Sequence, residues 1–349
     1  MEHVTFGRSG LRMPRAILGT MTFGEQGGVG APIQDCRAIL DAYLDVGGTA
    51  VDTASNYRGG ASEEFLGELL ASRRGEVILA SKYTVTRNPA DPNAAGNSRR
   101  NLRASLEQSL ARLRTDHVDV LWVHMWDRRT PIEETMRALD DAVSAGKVLY
   151  VGISDTPAWV IAEANTLADW RGWSPFIGIQ VPYSLLARDV ERDLLPMAGA
   201  LGLSAAAWSP LGGGLLTGKY AAGQAASTAR LRGHTPTRRE QRVIATVQAV
   251  ASEAGATPAQ VALAWVLSRG TNVHPIIGAR TIDQLADNLA ALTLTLPDEA
   301  LTQLNDASAI ELGFPHDFIS ANASWVLGAA DTCGGRDGQD LDIRRPAPR

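Results

Sequence analysis

The sequence predicts an α/β fold: a (β/α)8 TIM barrel with an N-terminal β-hairpin and a C-terminal extension. Three observations carry this. Short apolar runs alternate with helix-patterned stretches eight times, and most of the runs are continuous, as in strands covered on both faces. No second compositional domain interrupts them, so residues 1–309 read as one barrel domain and residues 310–349 as the extension. No G-x-G-x-x-G follows the first strand, where an open doubly wound sheet that binds a dinucleotide would carry it.

The elements follow in order. Val4–Phe6 and Leu11–Pro14 flank the Gly7-Arg8-Ser9-Gly10 turn as a hairpin. Ala16–Gly24 is a strand leaving into a glycine-rich loop. Gln34–Val46 is helical and stops at Gly47-Gly48. Thr49–Asp52 is a strand, and Ser62–Arg74 a helix with Ser62 expected as its N-cap. Val77–Lys82 is a strand. Ser98–Leu113 repeats Leu102, Leu106, Leu110 and Leu113 at helical spacing. Val118–Val123 is a strand, and Pro131–Ala145 a helix with Pro at its first turn, closed by Gly146. Strands Val148–Ile153, Phe176–Gln180 and Leu203–Trp208 alternate with helices Pro157–Trp170 and Arg188–Leu201. A long loop runs from Pro210 to about Pro236. Helices Arg239–Ala254 and Pro258–Arg269 (N-cap Thr257), strand Val273–Ile277 and helix Thr281–Ala291 complete the repeat, and Pro297–Ala309 adds a helix. Beyond Ile310 the pattern fails, and Ala329–Arg349 reads as a surface tail.

Composition bounds the function. With 45% apolar and 20% charged residues, the chain can bury a sizeable core. A net charge of −5 argues against nucleic-acid and anionic-membrane partners. The N-terminus shows no secretory pattern, and no apolar run approaches a membrane span, so a cytoplasmic protein is expected. Cys36 and Cys333 fit no metal or redox spacing and read as free thiols. His3, His117, His234, His274 and His316 show no ligand spacing, so no metal site is expected. Oligomeric state stays open.

The strand ends carry the chemistry. The apolar run into Asp52 ends in a carboxylate, with Tyr57 five positions on. A second run ends in Lys82, and a third is followed by His124. In a barrel these ends converge at the C-terminal mouth. A phenol with a pKa of ~10 is a poor acid near neutrality. A lysine ammonium ~4 Å away favours the phenolate by roughly 4 kcal/mol at an effective dielectric of ~20. Asp52 would keep Lys82 charged and His124 would orient a carbonyl, making a proton donor aimed at a developing alkoxide. That chemistry needs a hydride partner.

With Asp52-Thr53-Ala54-Ser55-Asn56-Tyr57, Lys82, Val123-His124-Met125-Trp126, Gly152-Ile153-Ser154, Trp208–Tyr220 and Ile277-Gly278-Ala279-Arg280 with Gln284 and Asn288, the chain resembles the aldo-keto reductases from about Val4 to Ala309. It looks closer to the bacterial branch related to potassium-channel β subunits than to mammalian aldehyde reductases. The resemblance implies bound NADP(H), a small-molecule carbonyl substrate, and Tyr57 as general acid with Asp52, Lys82 and His124 in support. Ser154 and Gln180 would hold the nicotinamide carboxamide, and Trp208 would stack on the ring. Leu211, Gly214 and Lys219 would line the pyrophosphate, Arg280 would meet the 2′-phosphate, and Gln284 and Asn288 would flank the adenine. Gly19, Thr20, Met21, Asp155, Ser209 and Gly278 complete the expected cofactor set. Asp155 stands where many relatives have Asn, and Gly278 where other members carry a lysine. An alternative function is an NADP(H)-binding redox-sensing regulatory subunit with little turnover.

Other motifs weigh less. Gly213–Lys219 has phosphate-loop spacing, but Tyr220 replaces the Ser or Thr that would hold magnesium. Asn322-Ala323-Ser324 is a glycosylation pattern without a secretory context. Trp126 is expected to wall the substrate pocket. Thr84–Arg99 and Phe314–Phe318 are expected at the rim, the latter folded back over the mouth.

Overall fold

The computed structural model describes residues 1–26, 30–219 and 234–328. Tyr220, most of the expected 210–236 loop, Cys333 and the tail from Ala329 lie outside the described residues. Eight parallel strands close into a barrel: β3 (Ile17–Gly19), β4 (Ala50–Asp52), β5 (Ile78–Tyr83), β6 (Val118–Val123), β7 (Val148–Ser154), β8 (Phe176–Pro182), β9 (Ser204–Trp208) and β10 (Val273–Ile277). The seam is β10 on β3, where Ile276 pairs with Ile17 and Ile277 with Leu18. An antiparallel hairpin, β1 (His3–Thr5) with β2 (Arg12–Pro14), precedes the barrel. Just after β1, Phe6 is fully buried, edge-on to Trp122 with centroids 6.4 Å apart. It shares one apolar cluster with Ile17, Ala50, Ala80, Val120 and Ala206.

Strand side chains alternate between faces, and this places the site. Ala50, Ala80, Trp122 and Ala206 face the barrel interior, while Val51, Leu79, Leu121 and Ala207 join the outer core under the helices. Two residues further along each strand come Asp52, Lys82, His124 and Trp208, so each returns to the interior side one step higher. Gly152 and Gly178 face the interior too, because a Cβ there would meet Trp122 at 2.4 Å and Phe6 at 2.5 Å. Ser154 and Gln180 follow them by two and pair in register. An apolar plug at one end of the barrel thus supports a polar layer at the other.

The surrounding helices are α1 (Ile33–Asp45), α2 (Ala61–Leu69), α3 (Arg99–Leu113), α4 (Ile132–Ser144), α5 (Ala158–Arg171), α6 (Leu194–Leu201), α7 (Arg238–Ala254), α8 (Pro258–Ser268) and α9 (Ile282–Ala290). Ser98 caps α3, accepting from Asn101 N. Thr237 and Thr257 form full capping boxes on α7 and α8, with Glu240 and Gln260 reaching back to the cap backbone. Gly202 closes α6 in the left-handed conformation, φ +68. Most boundaries lie within one or two residues of expectation; Pro131, for example, sits at the N-cap of α4.

Three expectations are corrected. Ser62 does not cap α2 but lies inside it, fully buried, with Gly60 as N-cap. Its hydroxyl donates to Thr20 O at 2.8 Å and lies 2.9 Å from Thr53 Oγ1, so it braces the ends of β3 and β4 instead. α2 also stops at Leu69, and a separate short turn occupies Arg74–Glu76. The helix expected over Arg188–Leu201 begins only at Leu194, after a short turn at Asp189–Glu191. Pro196 explains this: it has no N–H for Arg192 O, and its ring crowds that carbonyl, so the helix cannot run back through residue 192.

After the barrel come α10 (Asp298–Ser308) and two short helices that the sequence pattern did not indicate, α11 (His316–Ala321) and α12 (Ala323–Leu327). Arg192 donates to Glu311 O at 3.0 and 2.8 Å, which fastens this extension beside α6. Phe314 and Phe318 are exposed and pack on each other, and neither lines the cavity at the mouth. Among the described residues no helix is long and apolar enough to cross a membrane, and no cluster of His, Cys, Asp or Glu could hold a metal.

Candidate active site

Lys82 lies at the centre of the polar layer. It is 1% exposed, ion-pairs with Asp52 Oδ2, and donates to Thr53 O at 2.7 Å. Its Nζ stands 4.6 Å from the centre of the Tyr57 ring. Burial alone would discharge this ammonium, but Asp52 and Tyr57 outweigh it, and its pKa is raised above the ordinary lysine value. The other Asp52 oxygen accepts from Gln180 Nε2 at 2.9 Å, so both carboxylate oxygens are bonded. Gln180 must present its NH2 here, since a carboxylate can only accept.

His124 completes the group. Its ring lies edge-on to Tyr57, with centroids 6.1 Å apart. Burial, helped by the Lys82 charge, lowers its pKa to about 3, so the imidazole is neutral at any working pH. Its Nδ1 is buried without a hydrogen-bond partner. A buried lone pair without a partner is better tolerated than a buried N–H, so the ring proton belongs on Nε2.

A strained turn aims Tyr57. Arg58, Gly59 and Gly60 follow it with φ of +52, +66 and +102, the first unusual for a residue with a Cβ. Arg58 donates to Met21 O at 3.0 Å and to Gln26 O at 2.7 Å. That ties the tyrosine loop to the loop after β3.

From these groups a cavity of about 780 Å³ runs across the mouth, within the range of small-molecule sites. Asp52, Tyr57 and His124 line one end. Along it stand Gly19, Met21, Ser154, Asp155, Gln180, Trp208, Ser209, Leu211 and Gly214, and at the far end Lys219, Gly278, Arg280, Gln284 and Asn288. Trp208 Nε1 donates to Asp155 at 3.4 Å. Gly212, Gly213 and Gly214 have φ of +57, +67 and +105, a path that bars side chains and leaves backbone facing the cavity. Arg280 immediately precedes Thr281, the N-cap of α9, so a fixed cation adjoins a helix N-terminus. Neither Lys219 nor Arg280 pairs with a carboxylate among the described residues. An aromatic face at one end and two cations with a helix N-terminus at the other suit an elongated ligand with an aromatic head and anionic tail.

Three expected residues fall outside the cavity lining. Lys82 sits behind Asp52 and Tyr57. Thr20 is fully buried and turns back, its hydroxyl donating to Asp52 O at 3.0 Å. Trp126 leans on Trp159 at the rim, centroids 5.8 Å apart. Residues not anticipated include Thr22, Asn56, Thr217 and Asp287, which line the cavity, and Arg58. Only Asn56 and Arg58 carried a signal, as neighbours of Tyr57 in a turn. The long 84–99 segment does reach the rim: Asn97 donates to Thr84 Oγ1 and Met125 O, both at 3.0 Å.

The aldo/keto reductase family model matches residues 15–309. The chain is 39% identical over 322 residues to a norsolorinic acid reductase of Emericella nidulans, covering 89% of this chain and 82% of that protein. It is 37% identical over 320 residues to an aryl-alcohol dehydrogenase of Pestalotiopsis microspora, covering 88% and 82%. To an NADP(+) aryl-alcohol dehydrogenase of Phanerodontia chrysosporium it is 34% identical over 329 residues, covering 88% and 86%. These relatives are fungal and lend no support to the bacterial, channel-related branch that the motifs suggested.

Proposed function

The chain belongs to the aldo/keto reductase family, and from that premise we propose that it reduces an aldehyde or ketone to an alcohol with NADPH, Tyr57 delivering the proton. The observation that carries this is the buried Asp52–Lys82 pair beneath the Tyr57 ring, with neutral His124 beside it. When bound, NADPH supplies the hydride.

The chain's own residues do the rest. Nε2–H of His124 donates to the substrate carbonyl oxygen and holds it toward the Tyr57 hydroxyl. As negative charge grows on that oxygen, the Tyr57 proton moves to it, and the Lys82 ammonium steadies the phenolate left behind. Asp52 holds Lys82 in place, and the Gln180 amide holds Asp52. The Gln180 carbonyl and the Ser154 hydroxyl, which also bonds Asp155, face the nicotinamide carboxamide, and Trp208 offers its face to the ring. Arg280 and Lys219 suit the 2′-phosphate and pyrophosphate, which supports NADPH over NADH. Run backward, the same groups oxidise an alcohol. The names of the relatives make aromatic carbonyls and aryl alcohols the first substrates to try.

Tyr57→Phe is expected to abolish carbonyl-dependent loss of NADPH absorbance while cofactor binding, followed by tryptophan quenching, persists. A wild-type protein that binds NADPH and reduces nothing across a panel of aldehydes and ketones would overturn the proposal in favour of a regulatory cofactor sensor. Arg280→Ala is expected to weaken NADPH binding by an order of magnitude or more and leave NADH binding nearly unchanged. Equal losses for both cofactors would move the 2′-phosphate elsewhere.

A further inference from the structure

We infer that Trp159, together with Trp126, forms an aromatic shelf that receives a ring of the substrate, making Trp159 a specificity-determining residue. The inference rests on the carbonyl reduction proposed above and adds to it the part of the substrate lying outside the catalytic cavity.

His124 and Asp155 line the cavity, and Trp126 and Trp159 stand outside its lining. Trp126 lies two residues beyond His124, after β6, and Trp159 four beyond Asp155, in the first turn of α5 after β7. β6 and β7 are paired neighbours, so the two loops leave the barrel side by side. The rings meet at 5.8 Å and 88°. Trp159 is 63% exposed and the adjoining Met125 48%. Large apolar groups left open beside a catalytic cavity mark a surface that a ligand covers.

The shelf is held firmly. Asp127, next to Trp126, accepts from the Thr130 hydroxyl at 2.6 Å and from Asn97 N at 2.7 Å. Asn97 Oδ1 accepts from Asp127 N at 2.8 Å, and its amide nitrogen donates to Met125 O. The backbone carrying Trp126 is therefore pinned from both sides, and Trp159 stands on a helix. A perpendicular pair leaves one ring face open, so a flat substrate ring can stack on one tryptophan and meet the edge of the other. A short aliphatic aldehyde ends inside the cavity and reaches neither.

The test compares kcat/KM for 2-naphthaldehyde and propanal, with NADPH, in wild type, Trp159→Ala, Trp159→Phe and Trp170→Ala. Trp170 is also exposed and on α5, but at the end away from the mouth, and serves as control. Trp159→Ala is expected to lower the naphthaldehyde-to-propanal ratio roughly three- to tenfold, mainly through KM. Trp159→Phe should keep most of the ratio, and Trp170→Ala all of it. An unchanged ratio in Trp159→Ala, including an equal loss on both aldehydes, overturns the inference and leaves the function standing. Wild type inactive on both aldehydes overturns the inference, and inactivity across the wider panel of aldehydes and ketones brings down the function with it.

Discussion

A lysine stripped of water stays charged only while other groups replace that water, and for Lys82 these are Asp52 and Thr53 O. Removing one partner strands a buried charge, which typically costs about 3–5 kcal/mol, whereas removing both is far milder. Lys82→Met is thus expected to lower unfolding free energy in urea by about that much. Asp52→Asn combined with Lys82→Met should recover most of the stability and none of the activity. A single-variant loss under ~1 kcal/mol would mean that water reaches Asp52. These residues were legible in the sequence because ionisable groups at the ends of apolar runs are out of place in a core. Arg58 stood beside Tyr57 in the sequence, but its role depends on a left-handed turn, and Trp159 carried no signal because its role depends on two loops meeting in space. Thr20 lies between two lining residues, Gly19 and Met21, while its own side chain turns back to Asp52 O.

At the scale of elements, the eight strands were legible from apolar runs and the helices from 3.6-residue spacing with caps. What failed was local competition: Ser62 donates its hydroxyl to Thr20 O instead of accepting from the N–H groups of a helix start, and Pro196 shortened α6. The caps also tie stability to ligand binding. Thr257 Oγ1 accepts from Gln260 N and donates to Asp287 at 2.9 Å, and Asp287 lines the cavity near the Arg280 end. Thr257→Ala is expected to cost about 1 kcal/mol and to weaken NADPH binding, since Asp287, then held by Gln260 Nε2 alone at 2.8 Å, turns more readily toward a phosphate. Thr237→Ala removes a comparable box, on α7, without that link. It should show the stability loss in thermal melts and unchanged cofactor titrations. Identical affinities in both variants would disconnect Asp287 from the site.

At the scale of the molecule, two buried histidines make the fold acid-sensitive. Burial lowers His274 to about 4 despite its bond to Pro14 O, and His124 to about 3. Unfolded, both titrate near ~6.5. Below that value the unfolded chain binds protons that the folded chain refuses, so stability is full above pH ~6.5 and falls as pH drops toward the folded values. Each histidine contributes up to about 1.4 kcal/mol per pH unit in that window. Urea unfolding at pH 7, 6 and 5 should show this decline, and His274→Gln should reduce its slope by about half. A flat profile would mean that both rings are solvated in the folded state.

The seam between β3 and β10 also governs how the enzyme comes into being. Asp52, Tyr57, Lys82 and His124 all lie in the first part of the chain, whereas Arg280 directly follows the strand that completes the ring. During synthesis the acid–base groups emerge early, on strands with no ring to hold them. The cavity, lined by Gly19 and Met21 at the end of β3 and by Ile277 and Gly278 at the end of β10, is assembled only when the last strand arrives. A polypeptide that stops before β10 therefore carries the proposed acid–base groups without the cavity they would serve.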